Sequence, residues 1–327
     1  MEELGLQSCG AAIEFEQLAN MQHRSRVSND MRGERVLMVL SFLAIHIVWG
    51  STYLAIRYSV ETIPPLITAG LRHVIGGSAL FAWCWWRGYR PTLRQWQASA
   101  VLGVLFFLIG HGSLHWAELV VPSGVAALLI ATEPVWVAAL SAISVDHLRL
   151  KASGIAGLII GIAAVAILIG KPATSMDMKL FIGSLVVVGS AISWTLGIIY
   201  SRTAPLHPIP IMSAAMSLLC GGVLLIATSC VTGSAQTFHI ANVSAVSALS
   251  LSYLVVFGAL TFAGYTWLLT KWPPVLVATH AYTNPLIAVL LGAVIAGERV
   301  TMRIVIAAFA IIAAILLVKH DTGEVSS

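Results

Sequence analysis

Residues Leu114 to Ala166 and Tyr265 to Leu317 carry one pattern written twice, at a constant offset and without a gap. Trp116 matches Trp267, Pro122 matches Pro273, and Thr132-Glu133-Pro134 matches Thr283-Asn284-Pro285. The register continues through Leu140/Leu291, Ala142/Ala293, Ile155/Ile306, Ala156/Ala307, Ile160/Ile311 and Ala163/Ala314. Both copies are apolar enough to lie in lipid, so the repeated unit contains membrane helices. A duplicated block of membrane helices is a pattern of secondary transporters and places a site where the halves meet near the midplane.

Composition agrees with lipid as the solvent. Hydrophobic residues make up 58% of the chain and charged residues 10%, whereas soluble domains carry about a quarter charged residues. The apolar stretches are long enough to cross ~30 Å of hydrocarbon as helix. Strands of a barrel would be half as long and would alternate in polarity. The expected fold is therefore an all-α integral membrane protein of ten transmembrane helices. The expected spans are 36–56, 66–86, 98–119, 123–144, 152–170, 180–201, 208–230, 250–270, 275–296 and 303–319.

The chain divides near Lys171–Lys179 into two five-helix repeats, 36–171 and 180–319, with a mobile cytoplasmic tail at 1–35 and a second cytoplasmic tail at 320–327. Five is odd, so the second repeat enters the membrane from the opposite face and the two are inverted. The net charge of +4 would suggest nucleic acid in a soluble protein; here its distribution sets topology instead. With the N-terminus inside, Arg24, Arg26, Arg32, Arg35, Arg87, Arg90, Arg94, Arg149, Lys151, Arg202, Lys271 and Lys319 fall on the cytoplasmic side. Only Arg57, Lys171, Lys179, Arg299 and Arg303 fall outside, which puts both termini in the cytoplasm by the positive-inside rule. No cleavable signal is read before the first span.

Proline punctuation is duplicated too. Pro64-Pro65 and Pro208/Pro210 precede helices two and seven, and Pro122 and Pro273-Pro274 precede helices four and nine. Proline suits the first helical turn because its missing N–H has no intrahelical partner there. Small residues cluster in helices four, five and ten, as in Gly154, Gly157 and Gly161, and let membrane helices approach closely.

Polar chemistry inside the spans is sparse. Of the acidic residues, Glu133 falls deep within a span and Glu118 lies near a helix end. A charge in lipid costs roughly 2.5–3.5 kcal/mol on insertion scales, so such residues mark a pathway or a pair. Glu133 precedes Pro134, whose ring frees a carbonyl one turn back and kinks helix four. Its equivalent is Asn284 before Pro285. A midplane carboxylate facing a midplane amide suits a substrate site or a proton-titrating group; the other reading is a hydrogen bond that only holds helices together. Arg72 is expected to pair with Glu133, with snorkelling or an anionic substrate group as alternatives.

His111, His115 and Glu118 follow at i, i+4 and i+7 and share one helix face. That spacing lines a polar cavity, relays protons or holds a metal, or belongs to satisfied interhelical histidines. A metal would need a second cluster of Cys, Asp or Glu, and the four cysteines Cys9, Cys84, Cys220 and Cys230 are scattered, so no metal and no cofactor are expected. His46, His73 and His280 each stand alone and read as structural, although His280 runs with Tyr282 into the Asn284-Pro285 step. Trp49, Trp194, Tyr265, Trp267 and Tyr282 supply either an aromatic wall or an interfacial belt; Trp83, Trp85 and Trp86 beside Arg87 are belt residues.

These residues carry a resemblance. Trp49-Gly50-Ser51-Thr52-Tyr53-Leu54-Ala55-Ile56-Arg57, Pro64-Pro65-Leu66, Ala69-Gly70-Leu71-Arg72, Ala117-Glu118 with Val121-Pro122-Ser123-Gly124, Glu133-Pro134, Gly189 to Trp194, and Tyr282-Thr283-Asn284-Pro285 with Gly297-Glu298 resemble the EamA-type drug/metabolite transporter superfamily. The nearest group is its bacterial amino-acid and metabolite exporters, and the likeness runs over 36–319. It implies ten helices around a central cavity and export of amino acids, their derivatives or toxic small organics across a bacterial inner membrane. The first half departs from the pattern with Asp146-His147 where the second has Gly297-Glu298, and with His111 and His115 in place of more neutral polar residues.

The expected function is export by alternating access, with a small-molecule substrate, the lipid bilayer as partner and no nucleic acid. Trp49, His111, His115, Glu133, Trp194, Tyr265, His280, Tyr282 and Asn284 line the cavity. Glu133, Arg72 and Glu118 are coupling or structural charges, and Pro134 and Pro285 are kinks. If transport is coupled, Glu133 or a helix-three histidine carries the proton; uncoupled exchange is the alternative. A passive channel or sensor of the same fold is the competing reading. An intramembrane enzyme is disfavoured, since no aspartate lies in any span, and there is no HExxH helix or phosphate loop.

Overall fold

The computed structural model describes residues 33–143, 151–170, 175–272, 277 and 279–323, and among these there is no strand. Helix α1 spans Gly33–Ser59, α2 Pro65–Trp86 and α3 Leu93–Ala117. Helix α4 consists of two segments, Ser123–Ile130 and Glu133–Ile143. Then follow α5 (Ala152–Ile169), α6 (Ser175–Ser201), α7 (Pro210–Val231), α8 (Ala245–Lys271), α9 (His280–Ile295) and α10 (Met302–Gly323). Among the described residues seven helices are long and apolar enough to cross a membrane, and His280–Ile295 and Met302–Val318 are shorter apolar helices. The chain is a membrane protein.

The helix ends follow from local chemistry. Pro65 and Pro210 open α2 and α7 as first-turn prolines. Helix α3 starts at Leu93, five residues before the expected span, because Thr92 and Gln95 form a reciprocal capping box. The Gln95 side-chain oxygen accepts from Thr92 N at 2.8 Å, satisfying a donor that the helix leaves orphaned. Helix α8 likewise starts early, at Ala245, where the Ser244 hydroxyl accepts from Ser247 N at 3.1 Å. Helix α1 begins at Gly33 and α10 runs through to Gly323, so helix extends into both expected tails. The polar stretch before α8 contains two short 3-10 turns, Ser234–Thr237 and Ile240–Asn242. The tail through residue 32, the Asp146-His147 turn and Pro273-Pro274 lie outside the described residues.

Helix α4 is broken rather than merely kinked. Pro134 has no N–H to return to Ile130, and Thr132 caps the turn before it. Its hydroxyl donates to Leu129 O at 2.6 Å and accepts from Trp136 Nε1 at 3.0 Å. The equivalent Pro285 sits inside an unbroken α9.

Packing joins the two halves throughout. Helices α2 and α7 lie along one another, as do α5 and α10, and α4 and α9. Each of these pairs is antiparallel. Gly70, near the start of α2, faces Gly222 and Ile226 in the second half of α7, whereas Gly77 faces Leu218 and Ala215. Gly157 of α5 faces Ala314 and Val318 late in α10. The start of α4 at Ser123 meets Glu298, which follows α9. The remaining large contacts come in matched sets: α1 with α8 and α6 with α3, α1 with α9 and α6 with α4, α2 with α8 and α7 with α3.

The α2–α7 crossing depends on missing side chains. A Cβ on Gly222 would lie 2.7 Å from Val74 N and 3.1 Å from Gly70 O, both backbone atoms that cannot yield. Gly189 on α6 has open space where its Cβ would go. Gly222→Ala is therefore expected to destabilise the protein by about 1–3 kcal/mol through overpacking, while Gly189→Ala is neutral or slightly stabilising. Thermal unfolding in detergent checks this; equal midpoints for the two variants would remove the crossing from the account.

Candidate functional site

Two stretches of helix depart from the α-helical ladder, and both lie where the halves meet. Residues Ala44–Val48 of α1 and Gly103–His111 of α3 are wound as π-helix. A π-turn leaves carbonyls without their usual amide partner and is frequent at functional sites. In lipid each unmet backbone group costs several kcal/mol. Here side chains of the other half meet them. On α1 the partner is Asn284. Oriented with its nitrogen toward α1, the only orientation that pairs donors with acceptors, its amide donates to Ile45 O at 3.1 Å and His46 O at 2.9 Å. Its oxygen accepts from His280 Nδ1 at 3.2 Å. On α3 the partners are serines of α6: Ser190 donates to Gly110 O and Ser193 to Leu105 O, each at 2.7 Å.

Beside each π-segment lies an aromatic cluster. Trp49 of α1 packs on Tyr265 of α8 and edge-on to His280 of α9, with ring centroids 5.0 Å apart in both cases. Trp194 of α6 stacks on His111 of α3 at 5.1 Å and 18° between planes. Each tryptophan thus rests on a ring from the opposite half. Phe106 and Phe107 complete the second cluster, at 4.5 Å and 6.1 Å from Trp194.

The histidines sort differently from the sequence expectation. His73 of α2 is not alone: its Nε2 lies 2.9 Å from His111 Nδ1, and the two rings stack. His46 is held structurally, its Nδ1 2.8 Å from Phe42 O and its Nε2 3.3 Å from Thr279 Oγ1. His115 Nδ1 lies 2.7 Å from His111 O. Among the described residues no group of three His, Cys, Asp or Glu converges as a metal site.

The charged residues do not pair as expected. Among the described residues no carboxylate lies within 4.0 Å of Arg72, so the anticipated Arg72–Glu133 ion pair is not made. Glu133, half-buried at the start of the second α4 segment, lies within electrostatic range of Tyr53 and Tyr265. It does not bond Asn284, whose amide is taken by α1 and His280. Arg72 is in range of Glu118, Tyr53 and Tyr253, so two carboxyls, a guanidinium and several phenols share one interior. Tyr282 packs at the edge of the hydrophobic cluster that contains Leu128 and Leu129. Trp83, Trp85 and Trp86 are exposed, and Arg87 and Arg90 lie over the rings of Trp83 and Trp85.

One end of the molecule is tied by a junction the sequence reading did not place in the site. Glu298 Oε1 accepts from Ser123 N at 2.8 Å and Ser123 Oγ at 2.9 Å, and Oε2 accepts from Gly124 N at 3.2 Å. A carboxylate at a helix N-terminus satisfies orphan amides and complements the dipole. Arg57, at the end of α1, lies 3.6 Å from the same carboxylate and donates to Glu118 O at 3.3 Å. Gly297, at φ +65°, makes the reversal that aims Glu298 back. The Gly-Glu dipeptide and the Pro122-Ser123-Gly124 turn were the available signals. At the other end, Glu34 and Lys271 form a 2.7 Å ion pair beside a cavity of about 270 Å³ lined also by Arg35, Met38 and Trp272.

Glu298→Ala is expected to strip three hydrogen bonds from the α4 start and lower stability by about 1.5–3 kcal/mol, the range for bonds to a charged group. Exposed Glu61→Ala serves as the control. Thermal unfolding of both in one detergent checks it, and indistinguishable midpoints would refute the junction.

Comparison with known proteins places this architecture. The model of the EamA-like transporter family matches twice, over residues 36–170 and 181–319. The inner membrane transporter YedA of Escherichia coli (strain K12) is 34% identical over 293 residues, covering 88% of this chain and 92% of that protein. The transporter YoaV of Bacillus subtilis (strain 168) is 24% identical over 284 residues, covering 86% and 96%. A probable amino-acid metabolite efflux pump of Escherichia coli (strain K12) is 26% identical over 281 residues, covering 80% and 88%. A solved crystal structure, 20% identical, shares the fold at a TM-score of 0.59, covering 87% of this chain and 98% of its own. With both repeats matched and a relative of this identity along most of its length, the chain belongs to the EamA-like transporter family.

Proposed function

We propose that this transporter exports a small organic metabolite, an amino acid, a derivative or a toxic small molecule, by alternating access of two inverted five-helix halves. The observation that carries the proposal is the seam itself. Trp49, Tyr265, His280 and Asn284 on one side, and Trp194 with His111 on the other, are each assembled from both halves. Any rocking of one half against the other remodels both clusters at once. The antiparallel packing of α2 with α7, α4 with α9 and α5 with α10 is what a two-fold axis in the membrane plane requires. The relative described as a probable amino-acid metabolite efflux pump supports the substrate class.

In this reading ten helices cross the inner membrane with both termini in the cytoplasm, as the basic residues favour. The tie at Arg57, Glu298 and Ser123 then lies at the outer face, and the cavity beside Glu34 and Lys271 at the inner face. Introduced cysteines at the starts of α4 and α9 are expected to label from opposite sides of sealed vesicles. Labelling from one side would end the inverted-repeat reading.

A growth-resistance screen of an overexpressing strain against amino-acid analogues and toxic amines supplies the probe compound. Counterflow of that compound in proteoliposomes then separates a carrier from a passive channel, because only a carrier shows trans-stimulation. Asn284→Ala frees the Ile45 and His46 carbonyls and is expected to slow counterflow about tenfold, which corresponds to about 1.4 kcal/mol. Leu290→Ala, on the exposed face of α9, leaves it unchanged. Absence of trans-stimulation with every compound that the screen yields would leave the channel reading standing instead.

A further inference from the structure

Two titratable side chains on α3 and its C-cap are buried with polar atoms that find no hydrogen-bond partner among the described residues. His115 is 0% exposed and Glu118 1% exposed, and neither His115 Nε2 nor either Glu118 carboxyl oxygen has a hydrogen-bond partner among the described residues. They lie three residues apart, which makes them neighbours on one helix face.

The state of His115 follows from its one bond. Nδ1 lies 2.7 Å from the His111 carbonyl. A carbonyl can only accept, so Nδ1 carries the proton and the neutral ring turns a bare lone pair at Nε2 into the interior. Glu118 offers the complementary group. An ionised carboxylate buried with no hydrogen bond is strongly disfavoured, whereas the acid form has an O–H to donate.

The groups around this pair leave both of them available. On α1, Arg57 uses its guanidinium on the Glu298 carboxylate and on the Glu118 backbone carbonyl rather than its side chain, and Tyr53 lies within electrostatic range. On α2, Arg72 has no carboxylate within 4.0 Å among the described residues, and His73 is bonded to His111. From α4 and α8, Glu133 and Tyr253 face the same interior.

We propose that Glu118 and His115 form a proton-binding site, and that one proton carried there is the ion coupled to the conformational cycle. In the conformation described, Glu118 holds the proton as a carboxylic acid. The two side chains do not hydrogen-bond each other in the conformation described, so the exchange step passes through one admitted water. The Glu118 O–H bond breaks as its proton goes to that water, and a proton of the same water forms the new N–H bond at His115 Nε2. The resulting carboxylate has Arg57 and, more weakly, Arg72 as counter-charges, and the imidazolium releases the proton to water when that side opens. This coupling role rests on the transport reading; the existence of the site does not.

The site is tested without substrate. The full chain in liposomes is stepped from acid to alkaline pH, and infrared difference spectra follow the carbonyl stretch of protonated carboxylic acids. The wild type is expected to lose such a band on alkalinisation. With Glu133→Gln as the background, so that the second buried carboxyl adds no band of its own, Glu118→Gln is expected to lack it and Glu118→Asp to keep it at a shifted frequency. His115→Ala is expected to shift the midpoint by about one pH unit, tenfold in proton affinity. Retention of the band in a folded Glu118→Gln, or no titrating carboxyl in the wild type, overturns the proposal. If Glu118→Gln does not fold, the unshifted band in Glu118→Asp does so instead. Counterflow that fails while the band titrates ends the transport reading and leaves the proton site intact. Counterflow whose rate in the wild type ignores an imposed pH gradient overturns the coupling role.

Discussion

Lipid offers no hydrogen bonds, and the interior of this protein is arranged around that constraint. Wherever a helix leaves the regular ladder, a side chain takes the place that water would fill in a soluble protein. Asn284 reaches across to the π-turn of α1, Ser190 and Ser193 reach across to that of α3, and Thr132 bonds Leu129 O from within at the break in α4. Three of these four residues belong to the half opposite the carbonyls they satisfy. The repair of the backbone is therefore also the attachment of one half to the other, and the aromatic clusters of Trp49 and Trp194 settle beside those repairs.

Much of this was legible in the sequence because duplication is a long-range signal. Matching Pro122 with Pro273 and Glu133-Pro134 with Asn284-Pro285 located equivalent helices before any helix was seen. Apolar runs located the spans. Their ends were less legible, since Thr92 and Ser244 extend α3 and α8 through caps that a hydropathy count does not register.

The candidate site was legible by residue type but not by partnership. Sequence placed Trp49, Trp194, His111, Tyr265 and His280 near the seam, and geometry pairs Trp194 with His111 and Trp49 with Tyr265 and His280 across the halves. It did not pair His73 with His111, because those two are related only by the packing of α2 on α3. Arg72 and Glu133 attract on paper, yet among the described residues no carboxylate comes within 4.0 Å of Arg72. The π-windings left no compositional trace at all. Glu298 was visible only as half of a family dipeptide, and nothing local to it indicates that its acceptors serve a helix in the other half.

Equivalent helices that pair head to tail make a frame with no built-in polarity. Where α2 and α7, α4 and α9, and α5 and α10 run antiparallel, the helix packing itself favours neither direction. Any sidedness must reside in positions where the two copies disagree: Glu133 against Asn284, Glu118 against Leu269, His115 against Thr266. These three put the ionisable member in the first copy, whereas His280 and Tyr265 stand in the second against Leu129 and Leu114. The vector of this machine is written in the few letters that its duplication failed to preserve.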